Sequence, residues 1–526
     1  MTRLIQTIVC IVVLATTVAR AQESEIAELI ERGTGLMAQE EHEKAVAVLS
    51  EAIQLEPDHA KAYDRRGMAY VALGEDELAI DDFNEAIRLD PENASFYNNR
   101  SYAYVSDGKH EQALVDLNEA VRLAPDKSDY YQSRGAVLLF QGESERAMDD
   151  YNEAVRLAPE DSEAYRYRGK GYFATNEYEK AIEDLNEAIR LNPEDANAWR
   201  HRGFVRAELQ EFDDAITDFE EAYNLAPIEH DYHYNLARVF LDREEFHKSL
   251  EEFNLSIAAV EQADTIRGPL SVPEQLNDFL SRVHYYRGST YFELMLLEKA
   301  IADFSTSIEA APKNASVYFM RGKAWGFAKD YQKAIEDFNT AIRLNFSDPE
   351  VYELRGTAWI ALNETDRAIA DYNEAVRLGS QRPKLFQNRA ALWKRKGEME
   401  KAIADYDEAV RLAPDSLEVR RYRALLFINQ NEFERAVSDL DVILRIDPDD
   451  ASIYGLRGCL HCALSDFEQA VEDFTRVISL DPENQDAFEN RAKAYDALGE
   501  EDKAEADRQE LRHLQAEEAE RILAAC

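Results

Sequence analysis

Residues 60–93 read AKAYDRRGMAYVALGEDELAIDDFNEAIRLDPEN, and this stretch decides the fold. Two apolar-periodic runs lie within it, Ala62 to Leu73 and Glu77 to Leu89, joined at Gly74-Glu75. Each run places apolar residues at i, i+3, i+4 and i+7, the pattern of an amphipathic helix. Pro91 comes just past the second run, where it lacks the N–H a helix needs and so ends it. The stretch predicts two antiparallel helices in 34 residues.

Working outward, proline returns at the same interval at Pro57, Pro91, Pro125, Pro159, Pro193 and Pro227, then at Pro312, Pro414, Pro448 and Pro482. A fixed beat of this kind marks a stack of similar small units. Such a stack leaves little chain for an inserted catalytic domain. It offers instead an extended surface that repeats with variations.

Within the unit, Tyr63, Gly67, Tyr70, Ala79, Phe83, Ala86 and Pro91 occupy positions 4, 8, 11, 20, 24, 27 and 32. Gly135, Ala147 and Ala154 repeat the small set, as do Gly169, Ala181 and Ala188, and Gly356, Ala368 and Ala375. Small residues there let helices approach closely while large ones fill the gaps between units. This pattern resembles the tetratricopeptide repeat family. The resemblance implies an all-α fold, a right-handed superhelical solenoid of antiparallel helix pairs that holds proteins without catalysing a reaction.

The frame starts units at Ile26, Ala60, Ala94, Ser128, Ser162, Ala196 and His230, and again at Ser281, Ala315, Pro349, Pro383, Leu417 and Ala451. A degenerate unit begins at Gln485, with Arg508 where a large apolar residue belongs and a polar run to Ala524 that reads as a solubilising cap. The expected organisation is a first array over 22–263, an insertion over 264–280, a second array over 281–484 and the cap over 485–526. The insertion reads as a loop followed by an N-terminally extended helix, either a hinge, a loop reaching into the groove, or a tolerated surface insertion. The unit before it is the most irregular, with Leu236, Ser249, Ser256 and Glu261 replacing the usual Arg, Ala, Ala and Pro.

A second regularity is charged. Position 7 is Arg in nearly every unit (Arg66, Arg100, Arg134, Arg168 and onward), and position 23 is almost as regularly Asp (Asp82, Asp116, Asp150, Asp184). The pairing predicts a structural ladder in which each guanidinium forks onto a carboxylate of the second helix.

Residues 1–21 are of another kind. Arg3 gives a positive start, Leu4 to Val18 is almost wholly apolar, and Ala19-Arg20-Ala21 is a small-x-small cleavage pattern. This reads as a secretory signal peptide cut near Ala21, giving an exported chain, periplasmic or secreted, with no membrane span after cleavage. The 526 residues carry a net charge of −44, a field that repels phosphate backbones and argues against nucleic acid as a partner.

No cofactor, metal site or catalytic constellation is expected. Cys459 and Cys462 form the one metal-like pair, but a structural zinc site needs a second pair and the sequence has none. A redox or metal role for these two thiols is the alternative from another functional class.

The family resemblance implies that unit positions 2, 5, 9, 12 and 13 of the first helices line a concave groove. Carried over, the partner-binding residues are Arg166, Lys170, Phe173, Arg200, Phe204, Tyr234, Arg238, Tyr285, Phe292, Phe319, Lys323, Phe327, Lys394 and Arg395. Charges at these positions nearly cancel, so the acidity lies elsewhere, and two locally basic stretches flank an aromatic middle. An aromatic floor with polar flanks suits a bound peptide or protein segment. Packing between units is the competing use of these aromatics, and end-to-end self-assembly the competing function. The set of Lys, Asn and Arg positions with which this family clamps chaperone tails is absent, since no unit has Asn at position 9.

Overall fold

In the computed structural model, which describes residues 24–267 and 274–525, every described element is a helix. The expected signal peptide, and residues 268–273 within the expected insertion, lie outside the described residues. The chain divides into two compact units between Ser271 and Val272, and each is described by itself.

The repeat at Ser162 shows how local sequence sets the pattern. Its first helix, Ser162–Ala174, starts at Asp161, whose carboxylate accepts from the Glu163 N–H and satisfies one of the orphan donors of the first turn. Its second helix, Tyr178–Leu191, buries Ala181, Asp184, Leu185, Ala188 and Ile189, one stripe at i, i+3, i+4, i+7 and i+8. The residue at position 15 of every repeat, from Glu40 to Gly499, turns the chain with φ between 58° and 81°. At Gly74, the predicted turn, the left-handed conformation carries no Cβ penalty.

Within each unit a first helix packs on its own second helix, and that second helix packs on the next first helix. First helices of the repeats at Ala60 through Ser162 also touch their successors directly, so they share one face. Close approach inside a repeat depends on position 8. A Cβ placed on Gly135 would stand 2.6 Å from Cε1 of Tyr151, a side chain with no exposed surface.

The expected ladder is present and reaches further than the sequence suggested. In twelve repeats the position-7 Arg donates through Nε and Nη2 to both oxygens of the position-23 Asp, at 2.7 and 2.8 Å for Arg168 and Asp184. The remaining Nη1 reaches back to position 25 of the preceding repeat: Arg100 to Asn84 at 2.6 Å, Arg202 to Asn186 at 2.6 Å, Arg457 to Asp441 at 2.6 Å. Each Arg thus joins two helices of its own repeat, and those with the backward bond also tie that repeat to its neighbour within the same unit. Tyrosines flank it, with the Arg66 guanidinium carbon 5.7 Å from the Tyr63 ring and 5.8 Å from the Tyr70 ring.

Where the sequence departs from the beat, the structure finds substitutes. The repeat at His230 pairs His233 Nδ1 with Glu252 at 2.7 Å in place of Arg and Asp. Its buried Ser249 and Ser256 hydroxyls donate to the carbonyls of Ala237 and His230. With Glu261 where other repeats have Pro, nothing stops the second helix, which runs Phe246–Arg267. The following helix runs Glu274–Glu293, so helix occupies much of the segment expected as an insertion.

Phe346 and Ser380 also replace Pro, and their N–H groups donate to the carbonyls of Ala341 and Ala375 five residues back, with Asn345 and Gly379 left-handed before them. This helix-ending bond requires an N–H that proline lacks. Repeats with Pro end instead in an extended residue, such as Asn192, whose N–H donates to Ala188.

Candidate functional site

The shared face of the first helices carries the residues expected to line the groove, and the structure sorts them into two groups. Tyr234, Phe292 and Phe319 are buried. Phe292 packs among Phe304 and Val317, Phe319 stacks on Phe346 at 4.6 Å, and the Tyr234 ring lies 6.2 Å from that of Phe253. These three serve the packing between helices, which corrects their expected place on a binding surface. The space that the small position-8 residues leave open is filled by position-24 rings, Phe304 against Gly288 and Phe338 against Gly322.

The basic stretches are also less free than their sequence implies. Arg166 is buried and donates to Asp195 at 2.8 Å and to Glu163 at 2.7 Å. Asp195 in turn caps the next first helix, Ala196–Glu208, through the N–H groups of Asn197 and Ala198. Arg200 pairs with Asp231 at 3.2 Å, Lys323 with Glu350 at 3.5 Å, Lys384 with Glu418 at 3.5 Å and Arg421 with Asp450 at 2.8 Å. Sequence reading assigned Arg166, Arg200 and Lys323 to a ligand and missed the acids in the loop after the repeat or the next first helix that take them up.

Lys170 is different. It is exposed, and no acid pairs with it among the described residues. The protein wall around it, then Arg166 and Arg200, hold its ammonium below the usual lysine range. Beside it His201 is held neutral: burial, then Lys170, Arg200 and Arg166, press its pKa down to about 3. Lys394 and Arg395 are likewise exposed with no ion pair among the described residues.

Next to Lys170 the face is aromatic. Phe173 and Phe204 are half-buried, and Phe204 meets Phe219 edge-on at 5.2 Å. Phe173, Phe204, Phe219 and Val239 border a cavity of about 250 Å³, together with the charged groups Glu208, Arg238 and Asp242. It opens where helices Ala196–Glu208 and Glu229–Asp242 approach each other less closely than the earlier first helices do. Burial, reinforced by Glu208 and opposed by Arg238, pushes the Asp242 carboxyl up. In the second unit Phe327 is 55% exposed and meets Phe292 edge-on at 5.3 Å, near Tyr285, which is half-buried. A cavity of about 280 Å³ lies there, bordered by Lys323, Phe327, Tyr331, Phe338 and Leu354.

Cys459 and Cys462 sit in the C-terminal half of helix Ala451–Ala463, away from its start, and the surrounding protein pushes both thiols up, away from the thiolate that redox chemistry needs. Among the described residues no three His, Cys, Asp or Glu side chains are grouped to hold a metal ion, and no helix is long and apolar enough to cross a membrane.

Tetratricopeptide repeat models match residues 67–107 and 169–210, 98–162, 205–264, 319–383 and 394–451, and 423–492. No curated protein sequence matches the chain. Among solved structures, a tetratricopeptide repeat protein of Parabacteroides merdae is 22% identical over 50% of this chain and 98% of its own, with a TM-score of 0.40. The Cut9-Hcn1 hetero-tetramer of the APC/C is 14% identical over 90% of this chain and 96% of that one, with a TM-score of 0.39. Pseudomonas aeruginosa pilF is 20% identical over 41% and 99%, with a TM-score of 0.36.

Proposed function

We propose, from the premise that this chain belongs to the tetratricopeptide repeat family, that it is a non-catalytic scaffold holding a peptide or protein segment against its first helices. One observation carries the reading. The half-buried Phe173 and Phe204 border an open cavity of about 250 Å³ beside Lys170, a cation without an acid partner among the described residues. A partly uncovered aromatic floor beside an exposed cation is the composition of an interaction site. The cavity is smaller than the roughly 300–1,000 Å³ of small-molecule sites, and it suits one side chain of a longer segment.

The apolar run Leu4 to Val18 and the cleavage pattern at Ala19-Arg20-Ala21 support export, so the partner is sought among periplasmic or secreted proteins. The test is selection of a displayed random-peptide library on the intact protein, followed by binding of the enriched peptides to a Phe173→Ala/Phe204→Ala variant. Peptides that bind the parent and lose the variant, with helix content unchanged, support the reading. Enriched peptides that bind both equally overturn it.

A further inference from the structure

The face formed by the repeats at Ser162, Ala196 and His230 carries opposite charges on its two sides. Lys170, Phe204 and Arg238 occupy the ninth position of three successive first helices. One turn toward the helix N-termini lie Arg166 and Arg200. One turn toward the C-termini lie Glu208 and Asp242, both at position 13 and both exposed. The two arginines are already engaged by Asp195, Glu163 and Asp231, so Lys170 supplies the uncompensated positive charge. Glu208, Asp242 and Arg238 line one cavity, so two carboxylates face one guanidinium and that side keeps a negative excess that would accept a cation. The cavity bordered by Phe173, Phe204, Phe219 and Val239 adjoins the acidic side, with Glu208, Arg238 and Asp242 in its wall, and Phe173 lies one turn from Lys170 on the same helix.

Distance selects the ligand. Lys170 and Glu208 are offset by about 6 Å along the helix axis, from a rise of about 1.5 Å per residue, and by roughly 10 Å across neighbouring helices. Their separation is thus about 12 Å, close to the roughly 13 Å spanned by four steps of an extended chain. In an extended chain residues i, i+2 and i+4 project to one side. We infer that this face recognises an extended peptide segment with an acidic residue, an apolar residue two positions away and a basic residue two further on. The acid meets Lys170, the apolar side chain enters the cavity, and the base meets Glu208 and Asp242. This rests on the peptide-holding reading above and adds a sign rule to it.

The test uses fluorescence anisotropy on the intact protein at low salt. The probes are labelled peptides Gly-Glu-Gly-Leu-Gly-Lys-Gly and its reverse, with versions carrying two Glu, two Lys or two Gln. A mixed-sign probe is expected to bind at least tenfold more tightly than the two-Glu, two-Lys and two-Gln probes. Lys170→Glu weakens the mixed probe at least tenfold and creates binding of the two-Lys probe. Glu208→Lys does the converse with the two-Glu probe, which guards against a variant that misfolds. Equal binding of mixed and same-sign probes, or no effect of either charge reversal, overturns the sign rule. If the two-Gln probe binds as tightly and loses the Phe173→Ala/Phe204→Ala variant, the sign rule fails and the peptide-holding reading stands. If no probe binds and the library yields nothing, both fail.

Discussion

Replacing Arg168 with Leu tests the ladder at a single rung. The guanidinium donates to Asp184 at 2.7 and 2.8 Å and to Asn152 of the preceding repeat at 3.3 Å. The side chains of Arg168 and Asp184 are 20% and 9% exposed, so the carboxylate is the more deeply placed partner. Leu removes the charge and leaves the Asp184 carboxylate with no counterion in a poorly hydrated site. Breaking a fully buried pair costs about 3–5 kcal/mol, and an exposed one about 0.2–1 kcal/mol. A rung with one partner partly exposed falls between, at about 2–3 kcal/mol. A stack of repeats need not unfold in one step, so the assay is amide hydrogen exchange of helices Ser162–Ala174 and Tyr178–Leu191, which reads local opening. The double variant Arg168→Leu/Asp184→Leu removes the orphan charge as well and should recover to within about 1 kcal/mol of the parent. An Arg168→Leu opening free energy within about 0.5 kcal/mol of the parent would refute the reasoning.

Gly135→Ala forces a Cβ to 2.6 Å from the buried Tyr151 ring and should destabilise by about 1–3 kcal/mol, whereas Gly326→Ala, with nothing within 4 Å, should stabilise by about 0.5–1 kcal/mol; thermal melts of the two variants check the ordering. His201 has a folded pKa of about 3 against an ordinary 6.5, so on acidification the unfolded chain takes up the proton first. Its contribution is intact above pH 6.5 and is lost as pH falls below it, by up to about 2 kcal/mol at pH 5. The stability difference between the parent and His201→Gln should therefore be flat above neutrality and shift in acid, and urea midpoints that move in parallel would contradict this. Cys459 and Cys462, with thiols pushed up by burial, should react with iodoacetamide more slowly than a free thiol at neutral pH, and Cys459→Ser should leave peptide binding unchanged.

The helix pairs were legible because their signals are local and repeated: apolar spacing within Tyr178–Leu191, small residues such as Gly135, and proline after the helix. The Arg–Asp rungs were legible for the same reason, since both partners recur at fixed positions. The third bond of each rung was missed although its signal was present. Asn84, Asn118, Asn152 and Asn186 stand at position 25 of successive units, each sixteen residues before an Arg that reaches it. The face was only half legible. Position alone could not separate Phe292 and Phe319, which packing consumes, from Phe173 and Phe204, which it leaves half-buried. Nor could it show that Asp195 and Asp231 neutralise Arg166 and Arg200, because Asp195 lies in the loop that closes its repeat and Asp231 in the first helix of the next one. That difference left Lys170 as the charge to build on.

Hydrogen exchange of the protein with and without a selected peptide tests the central claim most directly. The account predicts that protection rises on Ser162–Ala174, Ala196–Glu208 and Glu229–Asp242, while the second helices Tyr178–Leu191 and Phe212–Leu225 are unchanged. Protection concentrated on those second helices, or outside these three repeats, would contradict it.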